Sequence, residues 1–461
     1  MPTEKKKILL VNSNMETMPY PVAPLGLALI AASLEKDYEV KIFDAAFSPS
    51  VEIEEVLNDF SPDAVGVGIR NIDNVTMGSY RNYLHAIRQE LVVPIKANNS
   101  APLIIGGSAV SMAPEELRRY FKADYALAGA GEESFPQLLE DLFRGEKKLP
   151  AVIFPPSKPG SDLHLPDARL MEHFDMRSYL ERGSYPIQSK RGCPFRCIYC
   201  SYPTIEGSTY QLRSPHDLVD EMERVNEKMP GVQFEFVDAA FNAPEEHAIA
   251  ICREIKKRGL KNPLRTMGIN PGLISEVLIE AMKEAGFTQI DCTPESASDK
   301  ILRKMKKNFH PAELKQAASI LRKYDLPTMW FFMFGAPGED ENSVRETFDF
   351  ILNHIPKHDM VHVTEGIRVF RGTALFDTAV KEGIIPKNIA VEEKAFYVHP
   401  GIGQERLHEL LMHYVSQQPN IVHADHSKPD KKLLAQAMEE RRRLQLNEPM
   451  FRTLLRIANR N

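Results

Sequence analysis

The chain is poor in cysteine, with five in 461 residues, and it has no long apolar run. No stretch approaches the roughly 18 consecutive apolar residues that suggest a membrane span. The opening "MPTEKKKILLVN" is a short basic tail leading into a strand, without the apolar core and small-residue cleavage site of a signal peptide. These absences predict a cytoplasmic protein with no membrane span. An odd number of cysteines without a secretion signal is also a poor disulfide framework. Excess positive charge is missing as well. The formal net charge is −6, with both signs mixed along the chain, which excludes a strong electrostatic attraction to nucleic acid or anionic membrane. Internal repeats and low-complexity tracts are absent, so solenoids and arrays are not expected.

What is present divides into segments. A chain of 461 residues is too long for one compact core, so two domains and an appendage are expected. Residues 1–145 alternate strand and helix. "KILLVN" (7–12), "EVKIFD" (39–44), "AVGVGI" (64–69), "LIIGG" (103–107) and "YALAG" (125–129) are short apolar strands. Segments 24–36, 51–60, 78–91, 114–121 and 132–144 are helical in pattern. This alternation predicts a Rossmann-like, doubly wound parallel sheet, with ligands outside the carboxyl ends of its strands. Residues 146–182, rich in proline, read as a linker. From 183 to 385 six further βα units follow, with strands at 185–190, 233–238, 264–269, 288–293, 327–334 and 361–369. Six units in place of eight predict a partial TIM-type barrel with an open side and its chemistry at the strand carboxyl ends. Residues 386–461 read as a mostly helical, polar tail. "MWFFMF" (329–334) reads as a buried barrel strand.

Three of the five cysteines crowd into "RGCPFRCIYC" (191–200), in the loop after the first barrel strand. A cubane iron–sulfur cluster normally takes four thiolates, so Cys193, Cys197 and Cys200 would leave one iron without a protein ligand. An open metal position is a place for substrate. The competing reading is zinc, which in structural sites wants four ligands. Cys252 and Cys292 are isolated and read as core residues, whereas His408, His413, His423 or His426 of the tail would have to supply the fourth.

"CPFRCIYC" resembles the CxxxCxxC signature of radical S-adenosylmethionine (radical SAM) enzymes, with Tyr199 as the aromatic before the last cysteine. The resemblance implies a 4Fe-4S cluster on Cys193, Cys197 and Cys200. Its open iron would chelate SAM and cleave it to methionine and a 5′-deoxyadenosyl radical. Further stretches resemble the family one by one. "FVDAAFN" (236–242) places Asp238 and Asn242 over the site, although the usual Gly-Gly-Glu is missing there. "TPES" (293–296) supplies Glu295 and Ser296, "FGAPGED" (334–340) supplies Gly335, and "IRVFRGTALF" (367–376) supplies Arg368. With Tyr199, these are the residues implied to bind SAM.

Residues 1–145 are similar to the cobalamin-binding domain that precedes many radical SAM domains, on "APLGLALIAASLEKDYEVKIFDA" and "IIGGSAVSMAPEELRRYFKADYALAGAGEESF". The Asp-x-His-x-x-Gly signature of a cobalt-ligating histidine is absent, as in radical SAM relatives generally. The implied cobalamin contacts are Asn14, Arg70, Asn71, Gly107, Ser108, Gly129, Gly131 and Glu132. Together the resemblances imply a cobalamin-dependent radical SAM enzyme that methylates an unactivated carbon of a small molecule. They also imply an electron donor such as flavodoxin or ferredoxin. The alternatives are ring closure, ring contraction or oxidation with the same cofactors, or a cluster- and cobalamin-binding protein that is not an enzyme. Methylthiolation is disfavoured because the amino-terminal domain has no cysteine for a second cluster.

Overall fold

"KILLVN" is apolar throughout because both faces of its strand are covered. In a computed structural model, Ile8 and Leu10 pack with Ala31 and Leu138 on one face, while Leu9 and Val11 pack with Leu57 and Leu91 on the other. The structure describes residues 5–460 apart from 19, 147, 156–161, 427–430, 447 and 459. The strands of the first sheet are β1 (Lys7–Asn12), β2 (Glu39–Asp44), β3 (Ala64–Gly68), β4 (Leu103–Gly106), β5 (Tyr125–Leu127) and β6 (Val152–Ile153). All pair in parallel, in the order β2-β1-β3-β4-β5-β6. The sixth strand comes from the segment expected to be a linker, part of which, 156–161, lies outside the described residues.

The helix expected over 78–91 starts later. Residues 69–83 form a loop pinned by an antiparallel bridge between Asp73 and Asn82. The Asn74 side chain bonds Ser79 O at 2.8 Å and accepts Arg81 N at 2.9 Å. Asn82 then accepts Leu84 N at 2.8 Å, and the helix begins at Leu84. Short polar side chains that bond their own backbone compete with helix, and here they win.

The second sheet comprises β7 (Tyr185–Ile187), β10 (Phe234–Phe236), β11 (Leu264–Ile269), β12 (Phe287–Glu295), β13 (Thr328–Phe334), β14 (Met360–Glu365) and β17 (Ile421–His423). A hairpin of β8 (Lys190–Arg191) and β9 (Gln211–Leu212) follows β7, and β15 (Ile367–Arg368) pairs antiparallel with β16 (Phe396–Tyr397). The sheet order is β17-β14-β13-β12-β11-β10-β7, so β7 and β17 are unjoined edges. The partial barrel is as expected, with a seventh strand added from the tail. Its three residues are too few for a periodicity signal. The strand expected at 361–369 breaks at Gly366, whose φ is +72°.

Along β13 burial alternates. Trp330, Phe332 and Phe334 meet Phe350 and Phe348 of the helix Glu341–His354. Met329, Phe331 and Met333 form the opposite, inner wall. The amino-terminal domain bonds beside both edges of this sheet. Just before β7, the Tyr179 hydroxyl donates to Asp44 at 2.9 Å. Just after β17, the Asp425 carboxylate accepts Gly78 N and Ser79 N at 3.1 and 2.7 Å. The first domain thus spans the open side of the barrel.

Candidate active site

The three-cysteine loop is held at its base by backbone geometry. Gly192 has φ +85°, and a Cβ there would lie 1.9 Å from the carbonyl oxygen of Thr209. Only glycine fits both conditions. Cys193 N donates to Gly207 O at 3.1 Å, and Cys200 N to Cys197 O at 3.2 Å. Ile198 between them is anchored on both sides, donating to Met305 O and accepting Leu375 N at 2.8 Å. Cys193 is buried, and Cys197 and Cys200 are half-buried. Burial pushes all three thiols up, Cys200 to about 12, and Cys193 and Cys197 add to the rise at Cys200.

A cation answers them. Lys307, on the loop after the helix Asp299–Lys304, draws each of the three thiols back down. It is buried in an ion pair with Glu295, and donates to Thr293 O and the Tyr199 hydroxyl at 3.3 Å each. Glu295 has a left-handed φ of +63°, a strained setting for a non-glycine residue. A buried lysine beside three cysteines fits an anionic thiolate-bound cluster, whose binding would expel the thiol protons. Cys252 and Cys292 are fully buried among apolar side chains elsewhere. His408 and His423 face Glu365, His413 bonds Gln417, and the His426 side chain lies outside the described residues.

Several expected SAM contacts are occupied by the protein itself. The Asp238 carboxylate accepts Ser189 N at 2.8 Å and Lys190 N at 3.1 Å, fixing the approach to the cysteine loop. Lys190, buried and pushed down to about 8, donates to the carbonyls of Ala240, Phe241 and Ala243. Asn242 bonds Asn270 O, Leu273 O and Asn270 N at 2.8–2.9 Å. Ser296 lies 3.2 Å from the Thr347 hydroxyl. Arg368 pairs with Asp73 at 2.7 Å and donates to Val369 O and Ala395 O. Gly335, at φ +100°, donates its N–H to Glu339 at 3.2 Å. Among the seven, Tyr199 and Glu295 gather directly beside the cysteines.

The expected cobalamin residues sit in the loops after β1, β3, β4 and β5. The Ser108 hydroxyl donates to Arg70 O at 2.8 Å, and Asn14 N to the Asn12 side chain at 3.3 Å. Asn71 is half-buried in the same loop as Arg70. At Gly107 a Cβ would lie 2.5 Å from Ile69 O, and at Gly131 it would lie 2.8 Å from Ile30. Gly129 has φ +78° and donates to Ser111 at 2.8 Å. Glu132 turns to the other domain, where both its oxygens meet the guanidinium of Arg191, at 2.5 and 3.2 Å. This fork–fork pair, two residues from Cys193, joins the strand-end loops of the first domain to the cysteine loop.

Sequence reasoning missed Lys307 and Arg191, because the cysteine loop that Lys307 faces and the Glu132 that Arg191 pairs with lie in distant segments. It also missed the inner wall of the barrel. Met267, on β11, a strand paired on both sides, is 39% exposed, and its neighbour Thr266 is buried on the other face, so the exposure is to the barrel interior. Arg265 on the same face meets Glu235 at 2.6 Å and donates to the Tyr20 hydroxyl at 2.8 Å. Asp291 is pushed up to about 6 by burial, and His362, stacked on Phe331 at 5.0 Å, is pushed down to about 4 by burial. This wall can recognise a polar small molecule. Among the described residues no helix is long and apolar enough to cross a membrane.

Comparison with known proteins agrees with this arrangement. Residues 12–139 match the B12 binding domain family model, and residues 187–351 match that of the radical SAM superfamily. An uncharacterized methyltransferase of Pyrococcus horikoshii is 26% identical over 379 residues, covering 78% of this chain and 79% of the relative. The tryptophan 2-C-methyltransferase of Streptomyces laurentii is 23% identical over 427 residues, covering 76% and 70%. In fold, the chain is similar to the radical SAM methyltransferase TsrM of Kitasatospora setae, solved with cobalamin and a [4Fe-4S] cluster. The TM-score is 0.79, with 19% identity and 99% of each chain covered. With both family models matched in this order along one chain, the protein belongs to the radical SAM superfamily, in the branch whose radical SAM domain follows a B12 binding domain.

Proposed function

We propose that the protein is a cobalamin-dependent radical SAM enzyme that methylates an unactivated carbon of a small molecule. The observation that carries this reading is the Arg191–Glu132 pair, which sets the three-thiol loop and the strand-end loops of the B12 binding domain beside each other. Cys193, Cys197 and Cys200 hold a 4Fe-4S cluster. Arg70, Asn71, Asn14 and Ser108 face cobalamin. When bound, the cluster with SAM supplies a carbon radical chemistry and cobalamin supplies a methyl group.

The chain's own part is to position and to exclude. Lys307 offsets the negative charge of the thiolates and of Glu295, and Tyr199 is oriented by the same lysine. Asp238 and Lys190 fix the entry to the loop, which keeps the thiols in register. The inner wall orients the substrate, and the first domain covers the open side against water. An electron donor such as flavodoxin or ferredoxin completes the system.

The test uses anaerobically reconstituted protein with labelled SAM. Wild type is expected to carry about four irons per chain, to retain cobalt, and to transfer label to substrate. Replacing all three cysteines with alanine removes iron and SAM cleavage while cobalt binding persists. SAM cleavage surviving in that variant refutes the cluster assignment. Iron without cobalt refutes methyl transfer and leaves ring closure, ring contraction or oxidation.

A further inference from the structure

Glu365, His408 and His423 come together away from the cysteine loop. Glu365 ends β14 and His423 ends β17, and both are buried on the face of the sheet that meets the helix Gln404–Val415. His408 reaches in from that helix and is half exposed. Its Nδ1 lies 2.7 Å from Glu365 Oε2, and His423 Nε2 lies 3.8 Å from the same oxygen. All three ligand atoms lie within 4.8 Å of one another. Around one tetrahedral zinc-sized ion, ligand atoms are about 3.4 Å apart, so small side-chain shifts suffice.

We propose that these three residues bind a divalent transition-metal ion of the zinc class, and that this ion stiffens the docking of the first domain on the barrel. Two imidazoles and a carboxylate are the donor set such ions prefer. Three protein ligands leave one position free, on the side where His408 meets solvent.

The surroundings supply the outer support such a site needs. Asp425 donates its backbone N–H to His423 Nδ1 at 3.3 Å and holds its carboxylate 3.7 Å from the same nitrogen. An ion on Nε2 selects the tautomer with a proton on Nδ1, so that Nδ1 gives up the backbone N–H it accepts here and donates to the carboxylate once that closes from 3.7 Å. That same carboxylate accepts Gly78 N, Ser79 N and the Ser79 hydroxyl at 2.7–3.1 Å. Gly366, next to Glu365, is so close to the loop's Met77 that a Cβ there would lie 2.7 Å from its sulfur. The ion fixes His423, His423 fixes Asp425, and Asp425 holds the 73–82 loop. A second group, His216, Asp217 and Asp220, is mostly exposed, and Asp220 is already paired with Arg258 at 2.8 Å, so it carries no site.

The experiment is a zinc chloride titration of cluster-loaded protein, so that the cysteines are already occupied. Iron content is recorded alongside, which separates this outcome from the fate of the cluster. Wild type is expected to bind one equivalent of zinc. Affinity is expected to fall by at least about tenfold in His408→Ala and in Glu365→Gln, with iron unchanged, and by about 10–100-fold in Asp425→Asn. Zinc is further expected to slow amide exchange across residues 73–82 in wild type and not in His408→Ala. Equal zinc binding by wild type and His408→Ala overturns the site, as does an absence of zinc binding by wild type. Unchanged exchange in zinc-bound wild type overturns the docking role.

Discussion

At the scale of single residues, the cysteine loop depends on one glycine and one lysine. Gly192→Ala forces a Cβ to within 1.9 Å of a carbonyl oxygen at a φ of +85°. Cys193, the next residue, is then displaced. The variant is expected to lose most of its iron on reconstitution while its far-ultraviolet circular dichroism stays unchanged. Lys307→Met leaves Glu295 buried without its cation. Removing one partner of a buried pair costs about 3–5 kcal/mol, and urea unfolding is expected to record a loss of that order together with poor cluster retention. The two residues differ in how legible they were. Gly192 adjoins the cysteine motif and could be read with it. Lys307 is 107 residues from Cys200, and nothing local marks it. Arg368 carries the opposite lesson, since the resemblance implied it for SAM and the structure pairs it with Asp73 of the other domain.

At the scale of elements, long apolar strands were read well and short or polar segments were not. Nine of the eleven expected strands overlap one observed strand each, the expected 185–190 runs from β7 into the first residue of β8, and the expected 361–369 divides at Gly366. The stretch 78–91 was misjudged because Asn74 and Asn82 spend their side chains on the backbone of the 69–83 loop. β17 was missed because three residues show no period, and its pairing with Val361 and Val363 is a long-range fact. "MWFFMF" was read as simply buried, yet its alternate residues line the barrel. On that same inner wall His362 sits on β14 with its imidazole pushed down to about 4 by burial. As pH falls from about 6.5 to about 4, the unfolded chain takes up a proton that the folded chain refuses, so stability drops by up to about 3 kcal/mol. Below that range the loss levels off. Urea unfolding at about pH 7 and about pH 4.5 is expected to show a smaller difference in His362→Gln than in wild type, by up to that amount.

At the scale of the whole molecule, the two domains are joined by apolar packing, with Ala28 and Leu29 of the first domain in the same cluster as the barrel core, and by several polar bonds. Asp73 and Arg368 form the most buried of these, with side chains 0% and 7% exposed. Arg368→Met is expected to destabilise the protein by about 3–5 kcal/mol, and the double change with Asp73→Asn to recover part of it. Chemical denaturation of the four proteins measures the coupling. A coupling near zero would mean that the domains dock without this pair. The Arg191–Glu132 pair makes a further expectation at this scale. Glu132→Gln is expected to leave iron and cobalt content unchanged while lowering methyl transfer more than SAM cleavage, because it loosens one loop against the other without removing a cofactor ligand.

The sequence by itself determined the two α/β domains, their order and the three cysteines. These are matters of local periodicity and close spacing, and they survive in one dimension. The tertiary structure alone decided what answers those cysteines, which strand-end residues remain free for a ligand, and how the open side of the barrel is covered. Each of those depends on side chains brought together from segments tens to hundreds of residues apart. Burial then sets their charge states, and neither distance nor burial is written in the local pattern.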